Sequence, residues 1–331
     1  MKNYRNLFLT VIIVSLISLL LLIVKEFLIS GENNDINDKE YIDKSMYYRA
    51  SEEQLSDLHE IPNLGNPIIR MRFANPFDYA MSKKERNILY NTLHFFDETM
   101  KNNKIKYFIC CGTLLGSYRH HDFIPWADNI DVFVEVRNRI RLINIFRNVS
   151  ESDYMIFKGR KSDKLYMKNE TKYTSHFPWK WPYIDIRYYD FNRTHIFGIS
   201  RNRGKRIILP KSIVFPLSIR PFNIYDLPSP RDAFGYCAWH FGYTDICISK
   251  SYSHVVEGET SSLGIIQCEA FIERYPYVHR YKIQDGIVEE LIHKDIVVQR
   301  IKVNEPLYAV TQSFSIALKM GYLYPNNSGL P

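Results

Sequence analysis

Glycine is scarce in this chain, with 14 residues among 331, which argues against a glycine-rich loop as the main nucleotide-binding device. The sequence contains no internal repeat. Its densest basic run, residues 201–206, lacks interleaved aromatic side chains, and no nucleic-acid-binding module is recognisable. That run is either a solvated loop or a loop that faces phosphate. Nucleic acid is therefore not an expected partner.

The overall amino-acid composition is typical of a globular protein. Hydrophobic residues make up 46% and charged residues 24% of the chain. The length suffices for one large domain or two small ones with a sizeable core. With 24 Tyr and 20 Phe, that core should be rich in aromatic side chains. The net charge of +7 suits an anionic substrate, and equally an ordinary surface excess.

A single long apolar run, Leu7–Val24, contains no charged residue and has the length of a membrane-spanning helix. Lys2 and Arg5 precede it, which predicts a cytosolic N-terminus and a lumenal remainder. The run is longer than the apolar core of a cleaved signal peptide, so an uncleaved signal-anchor is expected. The predicted organisation is a cytosolic tail over 1–6, a transmembrane signal-anchor over 7–24, a lumenal stem over 25–75 and a folded domain over 76–331.

Four N-glycosylation sequons agree with exposure to the secretory lumen. They begin at Asn148, Asn169, Asn192 and Asn326. In that oxidising compartment disulfides can form. Cys247 and Cys268 lie on either side of a polar loop and are the preferred pair among five cysteines, while the odd total leaves at least one thiol unpaired or intermolecular. A metal site of Cys247, His254, Glu257 and Cys268 is the alternative, but it matches no zinc signature.

The pattern of elements predicts an α/β mixture around one sheet. Ser82 and Glu85 form a capping box, and an apolar stripe follows it, so a helix should run to about 101–103. The remaining predicted elements are a strand over 107–111, a turn into a short helix over 112–118, a strand over 130–136, a helix over 137–147 and a strand over 183–189.

Two features near the second strand can carry chemistry. Gly112–Ser117 follows a buried strand, and its backbone N–H groups could bind a phosphate, although a plain tight turn explains it too. Asn129 and Asp131 point to one face of the strand, and Asp128 points to the other. Two carboxylates at this spacing could hold magnesium against phosphates. Here an amide, which brings no negative charge, takes one of the two places.

A third feature is Asp185, inside the apolar strand that starts at Tyr183. A buried carboxylate is costly unless it is paired or bound to metal. Pairing with Arg187, on the same face, is the structural explanation. A further metal carboxylate close to an attacking hydroxyl is the functional one.

The stretch Cys111–Asp131, CGTLLGSYRHHDFIPWADNID, resembles the signature of the LicD and fukutin family. Trp181–Ile186 resembles the family's next aspartate-bearing strand, and residues 214–217 and 234–236 resemble its more distal region. The resemblance covers roughly residues 84–245. It implies a polymerase-β-like nucleotidyltransferase fold with a mixed sheet and flanking helices. It also implies a transferase that moves a phospho-alcohol, such as ribitol phosphate or phosphocholine, from a CDP-linked donor to a glycan or glycoprotein in the Golgi.

The same resemblance implies roles for individual residues. Asp131 and Asp185 would be catalytic and would hold Mg²⁺ or Mn²⁺ together with Asn129 and Asp128. The donor phosphates would be held by Gly112, Thr113, Gly116, Ser117 and Arg119. Ala127 and Asn129 depart from the family pattern, in which both are aspartates, so the metal would bind more weakly. Two hypotheses follow: an active Golgi phosphotransferase, or a degenerate member that binds glycan or nucleotide, or scaffolds a glycosylation enzyme, without turnover.

Overall fold

A computed structural model describes residues 47–58, 61, 66–67, 75–148, 153–173, 176–202, 205–242, 246–249, 252–260, 263–283 and 286–303. The predicted cytosolic tail, the predicted anchor Leu7–Val24 and the first part of the predicted stem lie outside these ranges. Among the described residues, no helix is both long and apolar enough to span a bilayer. The signal-anchor therefore stays a prediction.

The described helices, in chain order, are α1 Glu52–Asp57, α2 Lys83–Asn102, α3 Cys111–His120, α4 Arg139–Asn148, α5 Lys211–Val214 and α6 Ala233–Phe241. The strands of the main sheet are β1 Tyr107–Ile109, β2 Ile130–Glu135, β3 Tyr154–Phe157, β4 Asp163–Met167, β5 Ile184–Phe191, β6 His195–Asn202 and β7 Lys205–Pro210. Shorter ladders are formed by β8 Ser218–Phe222, β9 Tyr225–Ser229, β10 Ile246–Ser249, β11 Tyr252–Ser253, β12 Gly258–Glu259 and β13 Gly264–Gln267. A three-stranded sheet follows, with β14 Tyr277–Ile283, β15 Gly286–His293 and β16 Ile296–Val303.

Helix α2 begins where its sequence predicts. The Ser82 hydroxyl accepts a hydrogen bond from the Glu85 backbone N–H at 3.3 Å, and the Glu85 carboxylate accepts one from the Ser82 N–H at 2.7 Å. This reciprocal pair confirms the capping box. The stripe of Leu89, Leu93 and Phe96 is fully buried, which places that face of the helix in the core.

The main sheet is mixed and has the order β1-β2-β5-β4-β3, with β6 added on β5 and β7 on β6. Strands β2 and β5 are parallel neighbours, whereas β1–β2 and β4–β5 are antiparallel. The predicted α/β class with flanking helices is confirmed. Residues 201 and 206 of the basic run face each other across the β6–β7 hairpin.

Helix α3 confirms the short helix predicted over 112–118 and extends it to Cys111–His120. A Cβ atom built on Gly116 would lie 2.4 Å from the Asp122 carbonyl oxygen and 2.8 Å from the Ile124 nitrogen. Glycine at this position therefore allows the helix and the following loop to approach closely. The strand β1 is shorter than predicted because α3 already starts at Cys111.

A buried ionic group, here called the Glu289 cluster, joins the C-terminal sheet to the end of α3. Glu289 on β15 accepts hydrogen bonds from Arg220 Nη2 at 2.9 Å and from Arg280 Nε at 2.6 Å. The Nε2 atom of His121 lies 2.7 Å from the same carboxylate. All four residues are buried, so one carboxylate compensates two guanidinium groups inside the core.

Residues 47–58 belong to the folded unit, which begins at Tyr47. Tyr48 forms an antiparallel bridge with Arg300 on β16. Leu55 on α1 packs into a small cluster with Val278 and Leu291 of the C-terminal sheet. The predicted stem, residues 25–75, therefore overlaps the folded unit, and the proposed start of the domain at residue 76 is too late.

Cys247 and Cys268 form a disulfide, which confirms the preferred pairing and excludes both sulfurs from a metal site. The three other cysteines are unbridged and buried: Cys110, Cys111 and Cys237. The sequon residues Asn148, Asn169 and Asn192 are exposed. Asn326 lies outside the described residues.

Candidate active site

The two carboxylates singled out in the sequence face each other on neighbouring strands. In the parallel pairing of β2 with β5, Asp131 lies opposite Asp185. Arg187 bonds both, because its Nε donates to Asp131 Oδ1 at 2.8 Å and its Nη2 lies 3.2 Å from Asp185 Oδ2. The expected pairing of Asp185 with Arg187 is therefore present, and the same guanidinium extends it to Asp131. We call this group the Asp131–Asp185 site.

The N-terminus of α3 lies against Asp131. The hydroxyl of Thr113 accepts a hydrogen bond from the Asp131 backbone N–H at 2.7 Å, and the Cys110 N–H donates to the Asp131 carbonyl at 3.1 Å. The Cys110 side chain provides no hydrogen bond to the start of the helix. A Cβ atom on Gly112 would meet nothing within 4 Å. This end of the helix is thus open beside the carboxylates, where its N–H groups favour an anion.

A second cation reaches the site from β4. Lys164 is the cross-strand partner of Asp185, and its Nζ lies 3.1 Å from Asp185 Oδ1 and 3.8 Å from Glu257 Oε1. The ammonium also lies 4.0 Å from the centre of the Tyr183 ring and 5.0 Å from that of Trp179. Rings at these distances attract a cation through their electron-rich faces. Two carboxylates and two aromatic rings therefore hold the Lys164 ammonium in place.

Asp128 is directed elsewhere, as strand alternation predicts. Its Oδ2 accepts hydrogen bonds from the Ser253 hydroxyl and the His254 backbone N–H, each at 2.8 Å. The Trp181 indole N–H donates to the Asp128 carbonyl at 2.7 Å. Asp128 thus holds the 252–260 segment against β5. This use of its carboxylate counts against the predicted metal role.

Asn129 precedes β2 and is 8% exposed. Within the part of the chain that the structure describes, its side-chain Nδ2 has no hydrogen-bond partner. A buried amide donor without a partner is costly. As a hydrogen-bond donor, this amide nitrogen differs from the carboxylate that a cation would require.

The two aspartates titrate differently. Burial raises the pKa of Asp131 above its usual range, even though Arg187 opposes this shift. Burial also acts to raise the pKa of Asp185, but Lys164 and then Arg187 outweigh it and lower that pKa to about 2. Asp131 is consequently the stronger base of the two, because Asp185 has two cations beside it instead of one.

The residues expected to hold donor phosphates divide into two groups. Gly112 and Thr113 lie at the open N-terminus of α3, near Asp131. Ser117 and Arg119 are buried deeper in the helix, where Ser117 Oγ donates to the Pro221 carbonyl at 2.7 Å and Arg119 Nη2 donates to the Ile246 carbonyl at 3.0 Å. Ser117 and Arg119 therefore bond main-chain carbonyls and Gly116 packs against a loop, while the contact of all three with the donor stays a prediction.

Several residues of this site escaped the sequence analysis. Lys164 lies in a strand without any motif, and only its pairing with β5 brings it to Asp185. Glu257 accepts hydrogen bonds from the Trp179 indole at 2.8 Å and from the Tyr183 hydroxyl. Glu257 and His254 appeared in the sequence only as members of a doubtful zinc set with the two cysteines. Their sequence distance of about 70 residues from β5 gave no signal of contact.

A divalent cation at this site would need oxygen ligands that are not already paired. Carboxylate oxygens are the ligands that Mg²⁺ and Mn²⁺ prefer. Both aspartates are already bonded to cationic side chains, and Asn129 contributes no charge. Among the described residues, no group of three or more His, Cys, Asp or Glu side chains is arranged to hold a metal ion. As they are arranged, the residues of the site do not fit a divalent cation.

Comparison with known families identifies the region that contains this site. Residues 104–232 match the model described as LicD/FKTN/FKRP, nucleotidyltransferase domain. This range includes β1, α3, β2, β4 and β5, and therefore Asp131, Asp185, Lys164 and Arg187. The segment with Glu257 lies beyond it.

Individual relatives share shorter segments. An uncharacterised protein of Rickettsia typhi is 33% identical over 89 residues, which cover 27% of this chain and 28% of the relative. An uncharacterised protein of Rickettsia prowazekii is 26% identical over 142 residues, or 37% and 53% of the two chains. The lipopolysaccharide cholinephosphotransferase LicD of Haemophilus influenzae is 31% identical over 72 residues, or 22% and 27%. The chain thus spans between about a quarter and about half of the length of these relatives.

Proposed function

Because residues 104–232 are a domain of the LicD/FKTN/FKRP nucleotidyltransferase family, we propose that this chain is a phosphotransferase that moves a phospho-alcohol from a CDP-linked donor to a glycan. Ribitol phosphate and phosphocholine are the candidate groups. The similarity to a cholinephosphotransferase supports the reaction type. The polymerase-β-like form of the nucleotidyltransferase fold is part of the same proposal.

The observation that carries the proposal is the pairing of Asp131 with Asp185 beside the open end of α3. In the proposed reaction, the acceptor hydroxyl attacks the phosphorus that bears the alcohol, and the pyrophosphate P–O bond breaks to release CMP. The proton of the hydroxyl passes to a carboxylate. Asp131 suits this role better than Asp185, because its pKa is raised. The N–H groups near Gly112 would receive the donor phosphates.

The setting of this reaction is part of the proposal. A lumenal domain on an N-terminal membrane anchor, in the Golgi, would have access to glycan and glycoprotein acceptors. The exposed sequons and the Cys247–Cys268 disulfide support an oxidising secretory compartment. The family resemblance predicts Mg²⁺ or Mn²⁺, but Asp131 and Asp185 are already bonded to cationic side chains, and no step above depends on a metal ion.

The test is release of CMP from CDP-ribitol or CDP-choline by the purified full-length chain in the presence of a glycan acceptor. Asp131→Ala should abolish release. Asp190→Ala is the matched control, because Asp190 lies on β5 as well but is exposed at the far end of the strand. Turnover that persists in Asp131→Ala would disprove the assignment of the site.

A degenerate family member that binds glycan or nucleotide, or scaffolds a glycosylation enzyme, is the second candidate. It is favoured by Asn129 and by the two cations that already bond the aspartates. CDP-alcohol binding without CMP release, unchanged in Asn129→Asp, would support it. Gain of CMP release in that variant would instead indicate that catalysis was lost through this one substitution.

A further inference from the structure

Arg187 occupies the space between the two carboxylates of the Asp131–Asp185 site. It lies on β5 two residues after Asp185, so its side chain leaves the same face of the sheet. Its register partner on β2 is Phe133, which places it diagonally across from Asp131. One guanidinium thus joins carboxylates from two strands, and it does so while only 22% of its side chain is exposed.

Lys164 completes the neutralisation from the opposite side. Its side chain is 9% exposed and bonds the Asp185 oxygen that Arg187 does not use. Asp131 and Asp185 are therefore each bonded to a cation whose position the sheet register fixes, and Lys164 also lies 3.8 Å from Glu257 Oε1. Removing Arg187 would leave the buried Asp131 carboxylate without its cationic partner, which is strongly unfavourable, whereas Asp185 would keep Lys164.

A divalent ion would have to displace this arrangement. An Mg²⁺ or Mn²⁺ ion between Asp131 and Asp185 would lie within a few ångströms of Arg187, where two positive centres repel strongly at low dielectric. Asn129, on the same edge, would contribute an amide instead of a third negative charge. Its unpaired Nδ2 is a hydrogen donor, as are the guanidinium and the ammonium.

We propose that Arg187 and Lys164 take the place of a divalent cation at Asp131 and Asp185, so that the site binds no Mg²⁺ or Mn²⁺. The guanidinium and the ammonium then provide positively charged hydrogen-bond donors beside the two carboxylates. This set suits the oxygens of a phosphoryl group. The inference concerns the site of the proposed function, but a direct metal-binding measurement tests it whether or not transfer takes place.

The experiment measures Mn²⁺ alone. The full-length chain is purified in detergent, treated with EDTA, desalted and titrated with MnCl₂, and free Mn²⁺ is followed by electron paramagnetic resonance. The wild-type chain should show no saturable site tighter than about 1 mM. Arg187→Met should gain one site that is at least about tenfold tighter, because a repelling charge is removed. Adding Asp131→Asn to that variant should abolish the gained site.

Two control variants isolate the role of charge and position. Arg187→Lys keeps the positive charge and should bind no more Mn²⁺ than the wild type. Arg139→Met is the matched control elsewhere, because Arg139 is 21% exposed and bonds the buried Asp163 at 2.6 Å. Arg139→Met frees one carboxylate, whereas Arg187→Met frees two, so Arg139→Met should gain no Mn²⁺ site.

Two results would overturn the inference. The first is one-to-one Mn²⁺ binding by the wild-type chain that Asp131→Asn removes. The second is a folded Arg187→Met variant, verified by circular dichroism, that gains no Mn²⁺ site. If Arg187→Met does not fold, the wild-type titration and its Asp131→Asn control decide the question alone. The proposed transfer can fail in its own assay without altering any of these readings.

Discussion

Helix α3 connects two ionic groups that differ in burial and in their ratio of carboxylates to cations. At its N-terminus lies the Asp131–Asp185 site, and its C-cap residue, His121, belongs to the Glu289 cluster. In the cluster, one carboxylate is surrounded by donors, and the side chains of Glu289, Arg220 and His121 are fully buried. In the site, two carboxylates share two cations, and Arg187 remains partly open to solvent.

The difference shows how burial separates an ionic group that holds a fold together from one that can meet a ligand. The Glu289 cluster links β8, β14 and β15 to α3, and Gln299 donates to the second ring nitrogen of His121 at 2.6 Å. Among the residues that the structure describes, the Asp131–Asp185 site instead has no hydrogen-bond partner for Asn129 Nδ2 and open space at Gly112. The cluster should therefore govern stability, and the site should govern binding and chemistry.

The largest expected loss of stability follows from a substitution in the Glu289 cluster. Glu289→Ala leaves Arg220 and Arg280 buried without their carboxylate, so the free energy of unfolding should fall by about 3–5 kcal/mol. Urea unfolding of the full-length chain measures it. Glu290→Ala, next on β15 but bonded to the partly exposed Arg300, is the control and should cost clearly less. Equal losses in both variants would contradict the special position of Glu289.

Acid should weaken the same cluster in two stages. Burial lowers the pKa of His121 below its usual 6.5, so the unfolded chain takes up this proton first and stability falls as the pH drops below 6.5. The pKa of Glu289 lies below its usual 4.5, because Arg220 and then Arg280 outweigh the effect of burial. Its contribution is complete above pH 4.5 and is lost as the pH falls further.

Unfolding free energies measured between pH 7 and pH 3 test both stages. His121→Asn keeps a residue that tolerates the left-handed backbone at this position, where φ is 50°. It should flatten the slope between pH 7 and pH 5 and leave the steeper loss below pH 4.5. An unchanged slope in the upper range would mean that His121 does not titrate as its burial requires.

Two glycines of α3 separate packing from binding within one helix. Gly116→Ala should destabilise the chain by about 1–3 kcal/mol, because the new Cβ would overlap the backbone of Asp122 and Ile124. Gly112→Ala meets open space and should leave the unfolding free energy nearly unchanged. Calorimetric titration with a CDP-alcohol should nevertheless show weaker binding in Gly112→Ala. Normal binding there would remove Gly112 from the proposed donor site.

A substitution in the site should affect activity more than stability. Asp185→Asn removes one charge that Arg187 and Lys164 share, and Arg187 can turn toward water, so the loss should be about 1–3 kcal/mol. Glu289→Gln is the corresponding change in the cluster and should cost more. CMP release should fall by at least about a hundredfold in Asp185→Asn, because Asp185 no longer holds Arg187 and Lys164 in position beside the reacting groups. A stability loss equal to that of Glu289→Gln would show that both groups serve the fold alike.

The smallest expected change in the free energy of unfolding concerns an ion pair at the surface. Lys84 and Glu170 lie 3.0 Å apart with 76% and 45% of their side chains exposed. Lys84→Met should change the unfolding free energy by less than about 0.5 kcal/mol, because water already solvates both groups. A larger loss by urea unfolding would show that exposed pairs contribute more here than their solvation allows.

Local sequence patterns were sufficient to predict several features of the structure. The Ser82–Glu85 capping box placed the start of α2 correctly, since its bonds involve residues only three apart. The alternation around Ile130 correctly separated Asp128 from Asp131. The short helix predicted over 112–118 is confirmed, but no sequence pattern indicated the packing role of Gly116, because the Asp122 carbonyl that it approaches belongs to a loop beyond the helix.

The sequence by itself determined the mixed α/β class, the position of β2 and β5, the preferred disulfide and the aspartates that meet at the site. These depend on periodicity, capping and a long motif, all of which act over short distances along the chain. Only the tertiary structure decided what surrounds the aspartates. Lys164 reaches Asp185 through strand pairing, and Glu257 reaches Tyr183 from a distant segment. Sheet register and burial set these contacts, and with them the charge of the site, which no local pattern encodes.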